Sequence, residues 1–103
     1  MQLEHLRYFQ AVAKYGSMNK AAQALFCSQP TITNAVKSLE EELEAPLLMR
    51  TGKGVVPTAL GNAVLQDVGL ILGYLDRWKQ LAQDNSENNP IVITLTGTAP
   101  RYD

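Results

Sequence analysis

The stretch that follows Ser28-Gln29-Pro30 constrains this chain most, because it is apolar on one side and bare polar on the other. Ile32, Val36, Leu39 and Leu43 step by four, three and four. A helix from about Gln29 to Glu44 places them along one face. Pro30, Thr33, Asn34, Lys37 and Glu41 fall on the opposite face, with Thr31 and Ser38 on its flanks. So short a helix needs a surface on which to lay its apolar stripe. Its ends are marked locally. Ser28 is a ready N-cap, Pro30 is tolerated in a first turn, and Pro46 stops the helix.

Apolar partners come before it. Leu3, Leu6, Phe9, Val12 and Ala13 recur at three- and four-residue steps and predict a helix over 3–15. Gly16 ends that pattern. Ser17 caps a short second helix over 18–26, in which Ala21, Ala22 and Leu25 face one way. After the third helix, Leu47 to Arg50 and Val55 to Pro57 flank Thr51-Gly52-Lys53-Gly54 and read as a β-hairpin. Thr58 then caps a long helix over 59–83, about 37 Å from end to end. Asp84 to Pro90 reads as a polar linker, Ile91 to Thr96 as a strand, and the rest as a loop or frayed end.

Helix, short helix, tight turn, polar-faced helix and hairpin, in that order, predict a mainly α winged helix-turn-helix followed by a long helix. A small trihelical core holds the third helix so that its polar face can enter a major groove of double-stranded DNA. Gln29, Pro30 and Thr31 are then the best base-edge candidates, with Pro30 suited to a thymine methyl. Asn34 and Lys37 can pair with adenine and with guanine or phosphate. Ser28 can cap the helix and contact phosphate. Arg50 and Lys53 on the wing suit the backbone. Lys20 can reach it too. Pattern alone leaves a solvated face open for all of these. Glu40, Glu41, Glu42 and Glu44 read as a solvated acidic end, two to three turns from the bases.

Composition excludes much else. A chain of 103 residues, 46% hydrophobic and 18% charged, makes one small domain and not comfortably two. One histidine and one cysteine cannot make a zinc site alone, and a Ser-His-Asp or Cys-His device would have to use His5, which lies in an apolar periodic segment. No enzyme, metal or cofactor is therefore expected. His5 reads as a surface or packing residue, and Cys27 as a small semi-buried side chain rather than a redox switch. No apolar run approaches a membrane span, and MQLEHLRYF holds no signal core, so a cytoplasmic location is expected. The net charge of −1 gives no general attraction to nucleic acid. The DNA reading thus rests on pattern.

The stretches LEHLRYFQAVAKYGSMNKAAQAL, SQPTITNAVKSLEEEL and PLLMRTGKGVVPTALG resemble the DNA-binding domain of LysR-type transcriptional regulators, in order and without gaps over residues 1–61. The resemblance implies a bacterial regulator, dimeric or tetrameric, that binds partly palindromic promoter sites, and it favours readout over the solvated face. It makes the long helix the linker that pairs two protomers. It makes the strand from Ile91 the start of an effector-binding domain whose remainder is absent, so no effector response is expected. Residues 1–58, 59–83 and 84–103 are then the DNA-binding domain, the dimerisation helix, and a polar linker with that first strand. Two places depart from the family pattern: Glu44 stands where glycine is usual, and Thr33-Asn34 where serine and a large polar residue are common.

The dimer has its own sequence support. Val64, Val68, Ile71, Leu75, Trp78 and Ala82 form a heptad seam. A helix this long overhangs a small domain and leaves one end without an intrachain partner. Trp78 is the expected anchor, although it suits a domain core equally. The rival reading is an interaction module that pairs with full-length regulators and binds DNA weakly itself.

Overall fold

The structure, a computed structural model, describes residues 1–88, with side chains through residue 85. The expected strand at Ile91 to Thr96 lies outside the described residues. Three helices, α1 (Leu3–Tyr15), α2 (Met18–Leu25) and α3 (Gln29–Leu43), precede an antiparallel hairpin of β1 (Leu48–Thr51) and β2 (Gly54–Pro57). A long helix, α4 (Ala59–Asn88), follows. The hairpin register pairs Leu48 with Pro57 and Thr51 with Gly54. Among the described residues no helix is long and apolar enough to cross a membrane. By internal packing the described residues divide after Leu70 into two units.

The first unit is a winged helix-turn-helix. α1 packs on α2 and α3, α2 packs on α3, and α1 also meets β2. Phe9 and Val12 of α1, Ile32 and Leu39 of α3, Leu47 and Val68 are all but fully buried. Ala21 and Ala22 let α2 approach closely, as their size suggests. Leu3 and Leu43, placed on the apolar faces by spacing, are the first residue of α1 and the last of α3 and are 48% and 39% exposed.

Local chemistry sets the boundaries. Ser17 Oγ accepts from the Lys20 N–H at 3.1 Å and starts α2. Thr58 Oγ1 accepts from the Gly61 N–H at 3.0 Å and donates to the Pro46 carbonyl at 2.8 Å, so it both starts α4 and ties it to the preceding loop. The helix ends differ from expectation. α2 stops at Leu25, and Phe26 takes a left-handed conformation. α3 stops at Leu43, where Glu44 does the same, before Pro46 can act. α4 runs five residues past Gln83, so Asp84 to Asn88 are helical rather than linker.

The hairpin is fixed to the helices by two contacts. The Val55 N–H donates to the Gly16 carbonyl at 3.0 Å. A Cβ at Gly54, whose φ is +127, would lie 2.6 Å from that carbonyl oxygen, so only glycine fits. The second contact is Glu40. Its Oε2 accepts from the backbone N–H groups of Leu47 at 2.8 Å and Leu48 at 3.2 Å. Glu40 is half-buried and belongs to the scaffold, a correction to its reading as part of a solvated end. Glu42 is also engaged, 2.8 Å from the Met1 ammonium.

Candidate nucleic-acid interface

The N-terminus of α3 is built by Ser28. Its extended backbone and its Oγ, which accepts from the Thr31 N–H at 3.3 Å, cap the helix. The same oxygen lies 2.8 Å from Thr31 Oγ1, which holds both hydroxyls together at the helix start. With the apolar stripe of α3 buried against α1 and α2, Gln29, Pro30, Thr31, Asn34 and Lys37 are left exposed. Thr33 is half-buried and offers less of its hydroxyl than the polar-face pattern suggests.

Arg50 and Lys53 are exposed on the wing. The turn between the strands is held by Thr51, whose Oγ1 donates to the Gly54 carbonyl and accepts from the Lys53 N–H, both at 3.2 Å. Arg50 and Gln29 come together. They line one concavity of about 170 Å³ with Ser17, Met18, Asn19 and Gly54. Asn34, Lys37 and Lys53 do not line it. The concavity therefore joins the start of α2, the start of α3 and the wing.

Its electrostatics suit an anion. Unpaired backbone N–H groups give a helix N-terminus a partial positive charge, and α2 presents its start here. Arg50 adds a full charge and a planar donor fork. The carboxylates of α3 begin at Glu40, eleven residues beyond Gln29. Glu40 reaches the wing rather than the helix start: it lines a neighbouring pocket together with Arg50, so its carboxylate partly offsets that charge.

Asn19 is exposed on this rim and was not among the candidates from sequence. The signal was present: Ser17 as N-cap places Asn19 in the first turn of α2. Phe26 was missed as well. It is 95% exposed, two residues before Ser28. Outside this face, loss of water around the Tyr8 phenol, then the Glu4 carboxylate and Cys27, raise its pKa above 10.

The expected seam on α4 is only partly available. Val68 is 1% exposed within the chain itself and belongs to its own core. Val64 and Leu75 are half-buried, and Ala82 is exposed. In the second unit Ile71, Tyr74, Trp78 and Leu81 are exposed, at steps of three, four and three along one helix face. Tyr74 and Leu81 were not in the sequence-derived seam.

Residues 3–62 match the family described as bacterial regulatory helix-turn-helix protein, lysR family. The chain is 37% identical over 100 residues to the HTH-type transcriptional regulator YofA of Bacillus velezensis, covering 96% of this chain and 35% of that protein. It is 43% identical over 98 residues to the HTH-type transcriptional regulator BudR of Klebsiella aerogenes, covering 91% and 68%. The chain thus spans about a third of the length of the first of these relatives. Among solved structures, the BenM_DBD/catB site 1 DNA complex superimposes with a TM-score of 0.82 at 33% identity, over 89% of this chain and 99% of that one. The CbnR_DBD–DNA complex gives 0.77 at 38% identity, over 84% and 99%.

Proposed function

The chain belongs to the LysR family of bacterial regulatory helix-turn-helix proteins, and on that premise we propose that it binds double-stranded DNA as a homodimer and regulates transcription. The observation that carries this reading is the exposed polar face of α3, with Gln29 of that face and Arg50 of the wing on one concavity. Residues 1–58 form the DNA-binding domain. The relatives it matches are transcriptional regulators, and two similar structures are DNA complexes. These favour DNA binding over the rival interaction module.

The mechanism is recognition without bond making. α3 enters the major groove with Gln29, Pro30 and Thr31 at base edges and Asn34 and Lys37 further along the groove. Ser28, Arg50 and Lys53 hold phosphates and fix the register. Ser17 and Asn19 extend the backbone contact to the start of α2. Thr33, half-buried, steadies the helix more than it reads a base. A second copy pairs through Ile71, Tyr74, Trp78 and Leu81, so two α3 helices read an inverted repeat. Such a complex acts in the cytoplasm, where the promoter is.

Fluorescence anisotropy tests the reading. The chain is titrated with a labelled inverted-repeat duplex and with a scrambled duplex, across a salt series. Tighter binding to the repeat is expected, falling steeply with salt. Lys37→Ala is expected to cost about 1–3 kcal/mol if Lys37 reads guanine, or about one unit of salt slope if it holds phosphate. A folded dimer that binds no duplex from a varied pool at low salt overturns it.

A further inference from the structure

Arg7, Gln10, Ala11, Lys14 and Tyr15 of α1 line, together with Leu25 of α2, an open groove of about 490 Å³. Its chemistry is mixed in an ordered way. Ala11 is buried, while Tyr15 and Leu25 are 40% and 38% exposed and give the groove apolar walls beside the exposed amide of Gln10. Arg7 and Lys14 are exposed one above the other, seven residues apart on α1. Lys14 Nζ stands 5.3 Å from the centroid of the Tyr15 ring. No carboxylate lines the groove, and the ion pair found among the described residues involves neither cation. In a chain of net charge −1, this is a local cationic surface with apolar walls.

We propose that this groove docks an acidic segment of another protein that carries apolar side chains between its carboxylates. Complementary charge selects such a partner: its carboxylates meet Arg7 and Lys14, neither of which is in an ion pair among the described residues. Its apolar side chains cover Leu25, Tyr15 and Ala11. A DNA backbone satisfies the two cations but presents nothing shaped for those walls. No residue of α3 or of the hairpin lines the groove. The chain then joins two partners at once, DNA through α3 and an acidic protein segment through α1 and α2.

A fluorescein-labelled peptide of alternating acidic and Leu or Phe residues probes this, beside a control with Gln in place of every acid. Both are titrated into the full chain, alone and with the inverted-repeat duplex bound. Saturable binding of the acidic peptide alone is expected, with or without DNA. The double variant Arg7→Glu, Lys14→Glu is expected to weaken it by about tenfold or more, and Leu25→Ser by several-fold. Affinity for the duplex is measured separately, so that an effect of charge reversal on DNA binding is distinguished from its effect on the peptide. Circular dichroism establishes that each variant is folded. The proposal is overturned if the Gln control binds equally well, if charge reversal leaves peptide binding unchanged, or if duplex displaces the peptide. A chain that binds no DNA but binds the acidic peptide leaves this proposal standing and removes the DNA reading alone.

Discussion

Glu44 holds φ 54 and ψ 38, and Phe26 holds φ 57 and ψ 44, both in the left-handed region that side chains with a Cβ enter at a cost. Each ends a helix there. The Phe26 N–H reaches the Gln23 carbonyl and the Cys27 N–H the Ala22 carbonyl. The Glu44 N–H reaches the Glu41 carbonyl and the Ala45 N–H the Glu40 carbonyl. Glycine makes the same bonds without the strain. Glu44→Gly is therefore predicted to raise stability by about 1 kcal/mol, which moves the melting temperature of a small domain up by about 4–8 °C. A melting temperature that stays or falls contradicts the strain argument. Glu40 works in the opposite sense. Glu40→Ala leaves the Leu47 and Leu48 N–H groups without their acceptor and is predicted to cost about 1–3 kcal/mol. Because those bonds set the start of the wing, affinity for duplex DNA should fall as well. Chemical denaturation and anisotropy on the same sample check both effects.

At the scale of elements, what could be read in advance was what local chemistry decides. Ser17, Ser28 and Thr58 cap their helices with the side-chain bonds their residue types allow, and the double-glycine turn makes the hairpin. Three outcomes were not legible, each for a physical reason. α3 ends near Glu44 as expected, but through a left-handed Glu44 rather than through Pro46, because the chain must turn there to deliver Leu47 to the core. α4 continues through Asp84 to Asn88 because extending an existing helix adds a bond per residue without a new nucleus, so polar side chains do not end it. The heptad seam included Val68, which the chain's own core consumes; spacing gives stripes but not which stripe is covered. The meeting of Gln29 with Arg50 and Asn19 likewise joins three elements and has no local signal. The exposed stripe Ile71, Tyr74, Trp78 and Leu81 carries a prediction of its own. Trp78→Ala with Tyr74→Ala should shift a dimer to monomers in sedimentation. It should also weaken binding to an inverted repeat far more than to a single half-site. A double variant that sediments as the parent does excludes this face as the pairing surface.

For the molecule as a whole, net charge is a poor guide, because the sign of the sum hides the arrangement. The acids of α3 lie at its far end and two of them are engaged, Glu40 by the wing and Glu42 by the Met1 ammonium. The start of α3 and the wing carry only basic charge. If that arrangement holds phosphates, Arg50→Ala should lower the salt slope of binding by about 0.9 for each phosphate that Arg50 neutralises. It should also weaken all duplexes alike, since phosphate contacts carry no sequence. Discrimination between the repeat and a scrambled duplex should then survive the substitution, and failure to discriminate would place Arg50 at a base.

The central claim is that two copies of α3 read successive major grooves. Methylation protection at guanine N7, which lies in the major groove, tests it most directly. The chain is bound to an inverted-repeat promoter fragment and the protected guanines are mapped. Two protected clusters on one face of the duplex, about 10 base pairs apart centre to centre and both absent in a variant carrying Asn34→Ala and Lys37→Ala, are predicted. Bound complexes whose guanine N7 atoms remain fully reactive would contradict the account.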